Sequence, residues 1–264
     1  EIAQCLVGSE MCIETGPLLQ TISVAPEHPS FYTLDGVLFR KKDDALVAYP
    51  RGKAASSYTV PQGTSTVGER AFDSCSFLTS VSLPASVTEI DDYAFSDCSA
   101  LVEVSIPSSV DEIGSCAFNY CTALSSIVIP DSVTEIEEGA FSECRALTTV
   151  VLPNSLTEIS DYLFSCCASL SSILIPDSVT EIETGAFQRC TSLVSIVIPD
   201  SVTEIEAIAF SECCALRSVL LPASVTEIGV GAFDKCPNLT LTVFRNSYAE
   251  RYAQRNHIPY AYAD

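Results

Sequence analysis

The chain has 264 residues, 47% of them hydrophobic, and its 34 acidic and 13 basic residues give a formal net charge of −21. This composition supports a large buried core and excludes a disordered chain, and no run is apolar enough to cross a membrane. The negative charge would repel nucleic acid and anionic lipid surfaces, which excludes both as partners. Because residue 1 follows no leader-like segment, we expect a trimmed or mature form with any export signal outside it.

The first 57 residues are expected to form an N-terminal cap. Leu19, Ile22 and Val24 have the spacing of inward strand residues that recurs later in the chain, so "LLQTISV" predicts an additional strand. Two of the 13 cysteines, Cys5 and Cys12, lie in this segment and could be bridged or free.

A 23-residue period dominates residues 58–240. Four residue types keep one register through eight copies: Pro from 61 to 222, Phe from 72 to 233, Cys from 75 to 236 and Leu from 78 to 239. Such a period predicts a solenoid, in which each coil buries the apolar face of its neighbours.

Each copy predicts one coil of this solenoid. In "LTTVVLP" the alternation places Leu147, Val150 and Leu152 inward and Thr149 and Val151 outward, which is typical of a short strand before Pro153. "SLTEI" predicts a second extended segment. "SDYLFSCC" predicts a helical or 3₁₀ corner that brings a Phe and a Cys inside.

Residues 241–264 are expected to close the other end of the solenoid. Ser247 can cap a helix with Tyr248, Tyr252 and Ala253 on one face and Arg251 and Arg255 toward its C-terminal end. The exposed strand edges and apolar surface of the last coil need such a lid.

The repeat "LxxVxLPxSVTEIxxxAFxxC" over about residues 58–240 resembles the BspA-like leucine-rich repeats, the 23-residue bacterial class also called the Treponema type. The segment "LDGVLFRKKDDALVAYP" (34–50) is similar to the hairpin that often precedes these repeats. The resemblance implies a leucine-rich-repeat solenoid, a right-handed β/α superhelix with short parallel strands. It also implies adhesion or binding to other proteins, including extracellular proteins of an animal host.

Two columns of polar residues have more than one interpretation. The eight Cys residues of the repeat are expected to be free and buried, although stacked coils would also allow disulfides or a metal track. The repeated glutamates form a ladder in which like charges should raise one another's pKa, so that Ca²⁺ is an alternative to a simple solvated face. We predict no metal and no cofactor. The ladder comprises Glu89, Glu112, Glu135, Glu158, Glu181, Glu204 and Glu227, with a second row at Glu137, Glu183 and Glu206.

The outward side of the first strand of each coil is the predicted binding surface, because partners of solenoids usually dock on exposed strands. One outward column supplies hydroxyl groups for hydrogen bonds, at Ser126, Thr149, Ser172, Ser195 and Ser218. The next supplies an aliphatic anchor, at Val128, Val151, Leu174, Val197 and Leu220. The competing interpretation is that Val and Leu are there only because they favour strands.

Catalysis has little support, because the two histidines, His28 and His257, lie in different caps and no Gly-rich phosphate loop follows a strand. We therefore predict a non-catalytic protein-binding module of a secreted or cell-surface bacterial protein. The alternatives are a passive spacer without a ligand of its own and self-association through the aliphatic column.

Overall fold

The computed structural model describes residues 2–4 and 19–263 of the chain. Cys5 and Cys12 lie outside this range. The described chain forms a solenoid whose coils recur every 23 residues, and nearly all buried apolar side chains belong to one continuous core from Val37 to Ala253. The leucine-rich-repeat solenoid predicted from the sequence is confirmed.

The N-terminal cap begins with β1 (Ile2–Gln4) and β2 (Thr21–Ser23), which pair in parallel. The predicted additional strand is therefore present, and Leu19 and Ile22 pack with Leu38 in a small second core. A three-stranded antiparallel meander follows, made of β3 (Phe31–Leu34), β4 (Val37–Arg40) and β5 (Ala45–Ala48). It has one more strand than the predicted hairpin, because a tight Asp35–Gly36 turn with positive φ at both residues adds β3.

Two ladders of parallel strands run along the repeats. The first ladder, here called the front strands, consists of the short strands that precede the repeat prolines and of β21 (Thr240–Val243), which pairs with the last of them. The strands before the prolines are β6 (Ser57–Thr59), β8 (Ser80–Ser82), β10 (Glu103–Ser105), β12 (Ser126–Val128), β14 (Thr149–Val151), β17 (Ser195–Val197) and β19 (Ser218–Leu220).

The second ladder consists of two-residue strands, and in all but the first of them a glutamate stands beside a buried isoleucine. We call them the glutamate strands: β7 (Thr66–Val67), β9 (Glu89–Ile90), β11 (Glu112–Ile113), β13 (Glu135–Ile136), β15 (Glu158–Ile159), β16 (Glu181–Ile182), β18 (Glu204–Ile205) and β20 (Glu227–Ile228). β5 of the meander pairs in parallel with β7, so the N-terminal cap continues this ladder.

The corners of the coils are consecutive turns, which corrects the predicted helical or 3₁₀ corner and the β/α description of the repeats. Each corner contains two residues with positive φ four positions apart, such as Tyr93 and Asp97, both at 56°. Phe95 N–H donates to Ala117 O of the next coil, whereas Ala94 N–H donates within its own turn to Asp91 O. Because these N–H groups alternate between the turn and the next coil, they cannot form the consecutive i to i−3 or i to i−4 bonds of a 3₁₀- or α-helix.

A column of phenylalanines runs through the core from Phe72 to Phe233. Successive rings are stacked with centroids 4.9–5.9 Å apart. Tyrosines close both ends of this column: Tyr49 packs 5.3 Å from Phe72, and Tyr252 meets Phe233 edge-on at 6.3 Å.

The last coil is covered by helix α1 (Tyr248–Arg255) and by β22 (Tyr260–Tyr262), which pairs in parallel with β21. Ala249, Tyr252 and Ala253 of the helix are buried, close to the predicted apolar face. We propose that residues 1–57 act as the N-terminal cap, residues 58–240 as the repeats and residues 241–264 as the C-terminal cap. The meander, the coils and the helix share one core and therefore form one unit.

Candidate functional site

The front strands present their side chains in the predicted alternation. In the strand Thr149–Val151 the central Val150 is buried, while Thr149 and Val151 on either side are exposed. Parallel pairing aligns equivalent residues of neighbouring coils, for example Val128 beside Val151 and Val197 beside Leu220. Leu174 joins the column through a single parallel bridge to Val197.

The aliphatic ridge, meaning Val128, Val151, Leu174, Val197 and Leu220, is exposed to solvent at every position. Their exposed fractions are 63%, 48%, 80%, 65% and 39% in that order. A preference of aliphatic residues for strands accounts for their residue types, but neighbouring side chains that shielded one another completely would not leave Leu174 80% exposed.

The hydroxyl row beside the ridge is also exposed: it consists of Ser126, Thr149, Ser172, Ser195 and Ser218. None of these five side chains has a hydrogen bond to any residue that the structure describes, so their donors and acceptors face solvent. The row and the ridge together bring ten uncharged side chains onto one surface of a strongly acidic protein.

Polar residues bound the ridge at both ends. On the N-terminal side the same column holds Ser82 and Ser105, and on the C-terminal side Leu220 pairs with Thr242. The hydroxyl row is bounded by Glu103, which pairs with Ser80. An apolar strip with polar ends is the arrangement expected of a defined contact surface rather than of uniform strand composition.

The structure adds a shallow cleft beside the front strands that the sequence analysis missed. It is lined by Val194, Ala215, Arg217 and Asn238, and Val194 is 42% exposed. The missed signal was a third outward column, because Val102, Val194 and Arg217 directly precede front strands in their coils. Arg217 is a cation close to the otherwise neutral surface.

The glutamate ladder is in register, so that Glu112 lies beside Glu89 on one side and Glu135 on the other. Burial is the main cause that raises the pKa of Glu112 and Glu158, and the neighbouring carboxylates raise it further. For Glu183 of the second row, burial and the charges of Glu158 and Asp161 raise the pKa to about 7. The direction of these pKa shifts agrees with the mutual repulsion predicted from the sequence, although burial contributes more to them.

Three carboxylates of the two glutamate rows form a close cluster. Oxygens of Glu158, Glu181 and Glu183 lie within 4.8 Å of one another. The distances agree with strain between like charges. Calcium binding at the ladder stays the alternative prediction.

The cysteine column is buried and structural. All the cysteines that the structure describes are free thiols, and Cys98, Cys121, Cys144, Cys167, Cys190 and Cys213 are fully buried. Each thiol of the column beyond Cys75 donates to the Phe carbonyl of the preceding coil, as Cys144 Sγ does to Phe118 O at 3.2 Å. Burial raises the pKa of the Cys144 thiol, which keeps it protonated and able to donate.

The histidines have different surroundings and do not meet. Nδ1 of His28 accepts hydrogen bonds from the backbone N–H groups of Ser30 and Phe31, which fixes the turn before β3. His257 is exposed just after α1.

Among the described residues, no helix has the length and apolar character needed to span a bilayer.

These features define the class of protein: a leucine-rich-repeat solenoid with a neutral, partly apolar strand surface. The sequence profile of the "BspA type Leucine rich repeat region" matches residues 51–168 and 112–240, in six copies. The chain belongs to this family of BspA-type leucine-rich-repeat proteins. Repeats of this family are typically non-catalytic and generally mediate protein–protein interaction.

Solved structures of bacterial leucine-rich-repeat proteins share the fold. A leucine-rich cell surface protein from Faecalibacterium prausnitzii is 30% identical with a TM-score of 0.60, over 83% of this chain and 77% of that one. The leucine-rich-repeat protein of T. pallidum is 27% identical with a TM-score of 0.56, over 85% and 94%.

The pneumococcal vaccine antigen PcpA shares the fold at 21% identity, with a TM-score of 0.53 over 93% of this chain and 50% of that one. A comparison with curated proteins gave no match.

Proposed function

We propose that this chain is a non-catalytic protein-binding module of a bacterial cell-surface or secreted protein, and that it binds an extracellular protein of the host through its front strands. The observation that carries the proposal is the aliphatic ridge, five exposed residues in register beside a row of free hydroxyl groups. Membership of the family and the cell-surface relative from Faecalibacterium prausnitzii support the class and the location.

The energetics require both columns of the surface. Full burial of an aliphatic side chain contributes roughly 1.5–3 kcal/mol, while association costs about 4–15 kcal/mol in lost freedom of motion. The ridge is partly shielded already, so it anchors a complex only when the hydroxyl row adds hydrogen bonds. A net charge of −21 favours a partner whose contact surface is apolar at its centre and basic or neutral around it.

The test replaces the two central ridge residues by aspartate. A partner is first found by screening extracellular-matrix and mucosal proteins. The double substitution Val151→Asp and Leu174→Asp should then weaken binding to that partner by on the order of a hundredfold or more, because binding would remove two charges from water. Surface plasmon resonance measures the loss, and circular dichroism checks the fold. Val230→Asp is the matched control, because Val230 is 88% exposed and lies on a corner instead of a front strand.

Two outcomes would favour the alternatives. If the double variant binds as tightly as the original chain, the docking surface lies elsewhere. If no partner is bound and removal of a complete coil leaves the function of the parent protein unchanged, the chain is a passive spacer. Light scattering over a concentration series tests self-association, and a strict monomer at high concentration argues against it.

A further inference from the structure

One boundary between coils lacks the main-chain bonds that join the others. We call it the central boundary; it separates the coil of residues 130–152 from the coil of residues 153–175. Everywhere else in the repeats, two backbone bonds flank each pair of glutamate strands, as Thr180 N–H to Thr157 O at 2.8 Å and Glu183 N–H to Ile159 O at 2.9 Å. At the central boundary the equivalent donors, Thr157 and Ser160, make no such bond, and β13 and β15 are not paired.

The front strands are also unpaired at this boundary. β14 pairs with β12 of the preceding coil but with no strand of the following coil, in which residues 171–173 do not form a strand. The front ladder has one other gap, between β10 and β12, but there β11 and β13 remain paired. Within the described repeats, the central boundary is therefore the place where both ladders are interrupted.

Bonds of the corners and several side chains, among them Ser155 and Cys167, hold the central boundary together. Gly139 N–H donates to Asp161 O and Glu143 N–H to Ser165 O, both at 2.8 Å. The hydroxyl of Ser160 donates to Ile136 O, taking the place of the missing backbone donor. The rings of Phe141 and Phe164 are 5.9 Å apart, the widest step in the phenylalanine column.

The sequence contains a cause for the wide step. The residue before each phenylalanine of the column is alanine in seven coils and Leu163 in this one. Leu163 is fully buried, and its larger side chain must fit where the other coils hold a methyl group. The bond from Phe141 N–H to Leu163 O is 3.1 Å, whereas the equivalent bonds of the other coils are 2.7–2.8 Å.

We propose that the central boundary is a joint in the solenoid, where the stack opens and bends before any other boundary of the repeats, and that Leu163 creates it. The core beside the joint is slightly more accessible than in the C-terminal coils: Val150, Leu152 and Ile173 are 8–9% exposed, as Ile106 also is, whereas the equivalent residues of β17, β19 and β21 are 0–4% exposed. Carboxylates of Glu135, Glu137 and Glu158 line a cleft that spans the same boundary, and their repulsion opposes closure.

Native-state hydrogen exchange on the intact chain, followed by mass spectrometry, tests the joint. Peptides from residues 153–175 should exchange on the order of tenfold faster than peptides from the equivalent residues 199–221. Leu163→Ala, which restores the alanine of the other coils, should slow the exchange of 153–175 toward that of 199–221. Ala186→Leu is the matched reverse change and should speed exchange in residues 176–198.

Equal exchange of the two segments in the original chain would overturn the proposal. The proposal would also be overturned if Leu163→Ala left the hydrogen exchange of residues 153–175 unchanged or made it faster, because Leu163 would then not keep the coils apart. These outcomes decide the matter even if Ala186→Leu prevents folding.

Discussion

The cysteine column shows how a single residue type can meet two demands of the repeat. The carbonyl of Phe118 accepts the N–H of Cys121 in its own coil and the thiol of Cys144 in the next coil. A buried carbonyl has two lone pairs, and the thiol is a donor small and apolar enough to reach the second one inside the core. Cysteine therefore fills space and joins coils at once.

We predict that Cys144→Ala lowers the free energy of unfolding by about 1–2 kcal/mol, because it removes both the hydrogen bond and the packing of the sulfur atom. Urea unfolding followed by circular dichroism measures the change. Cys214→Ala is the matched control, since Cys214 is exposed and should give a change within about 0.5 kcal/mol. Equal effects of the two substitutions would contradict a structural role for the column.

The stability of the protein should depend on pH through Glu183. Its folded pKa is raised to about 7, above its ordinary value of 4.5, so the folded state binds this proton more tightly than the unfolded state does. The stabilising effect is complete below pH 4.5 and is lost as the pH rises through 7. We predict that Tm is higher at about pH 5 than at about pH 8 and that Glu183→Gln reduces the difference.

Differential scanning calorimetry across this pH range provides the measurement. Glu69→Gln, at an exposed carboxylate outside the ladder, should leave the pH dependence as it is in the original chain. A Tm that rises from pH 5 to pH 8 would show that other groups dominate.

At the scale of elements, none of the strands could be stable alone, because they have only two to four residues. Their register comes from the repeat, since a coil shifted by one residue would turn its isoleucine or valine into solvent and its glutamate into the core. Helix α1 is the exception, because it carries its own start signal. Ser247 Oγ accepts the N–H of Glu250 at 3.0 Å, and Glu250 in turn accepts the N–H of Asn246 at 2.6 Å.

We predict that Ser247→Ala lowers the free energy of unfolding by about 1 kcal/mol by removing this N-terminal cap. Because the helix covers the last coil, hydrogen exchange should increase first in β21 and β22 and leave the central coils unchanged. Ser247→Asp should keep the original stability, since aspartate is an equally good cap. An unchanged Ser247→Ala variant would indicate that packing of Tyr252 alone holds the helix in place.

At the scale of the whole molecule, the chain is one stack of coils closed by a meander at one end and a helix at the other. The aliphatic ridge crosses the central boundary, with Val128 and Val151 on one side and Leu174, Val197 and Leu220 on the other. Bending at this joint would change the distance between the side chains of Val151 and Leu174, while the other distances along the ridge stay fixed.

The sequence by itself determined the coil length, the inward columns and the outward rows, because a 23-residue period combined with strand alternation leaves each side chain only one face. Val128, Val151 and Leu174 could be assigned to the exposed surface on that basis. The capping role of Ser247 was also predictable, since a helix start depends on residues three or four positions apart.

Only the tertiary structure decided how neighbouring coils meet. The partner of the Cys144 thiol, the turns at the corners and the unpaired strands above Val151 all depend on residues 22–26 positions apart, whose distance follows from how the coils stack. Leu163 stood in the sequence as a single departure from alanine. Its effect became visible only in three dimensions, because a few tenths of an ångström at one step of a stack decide whether main-chain bonds on both ladders can form.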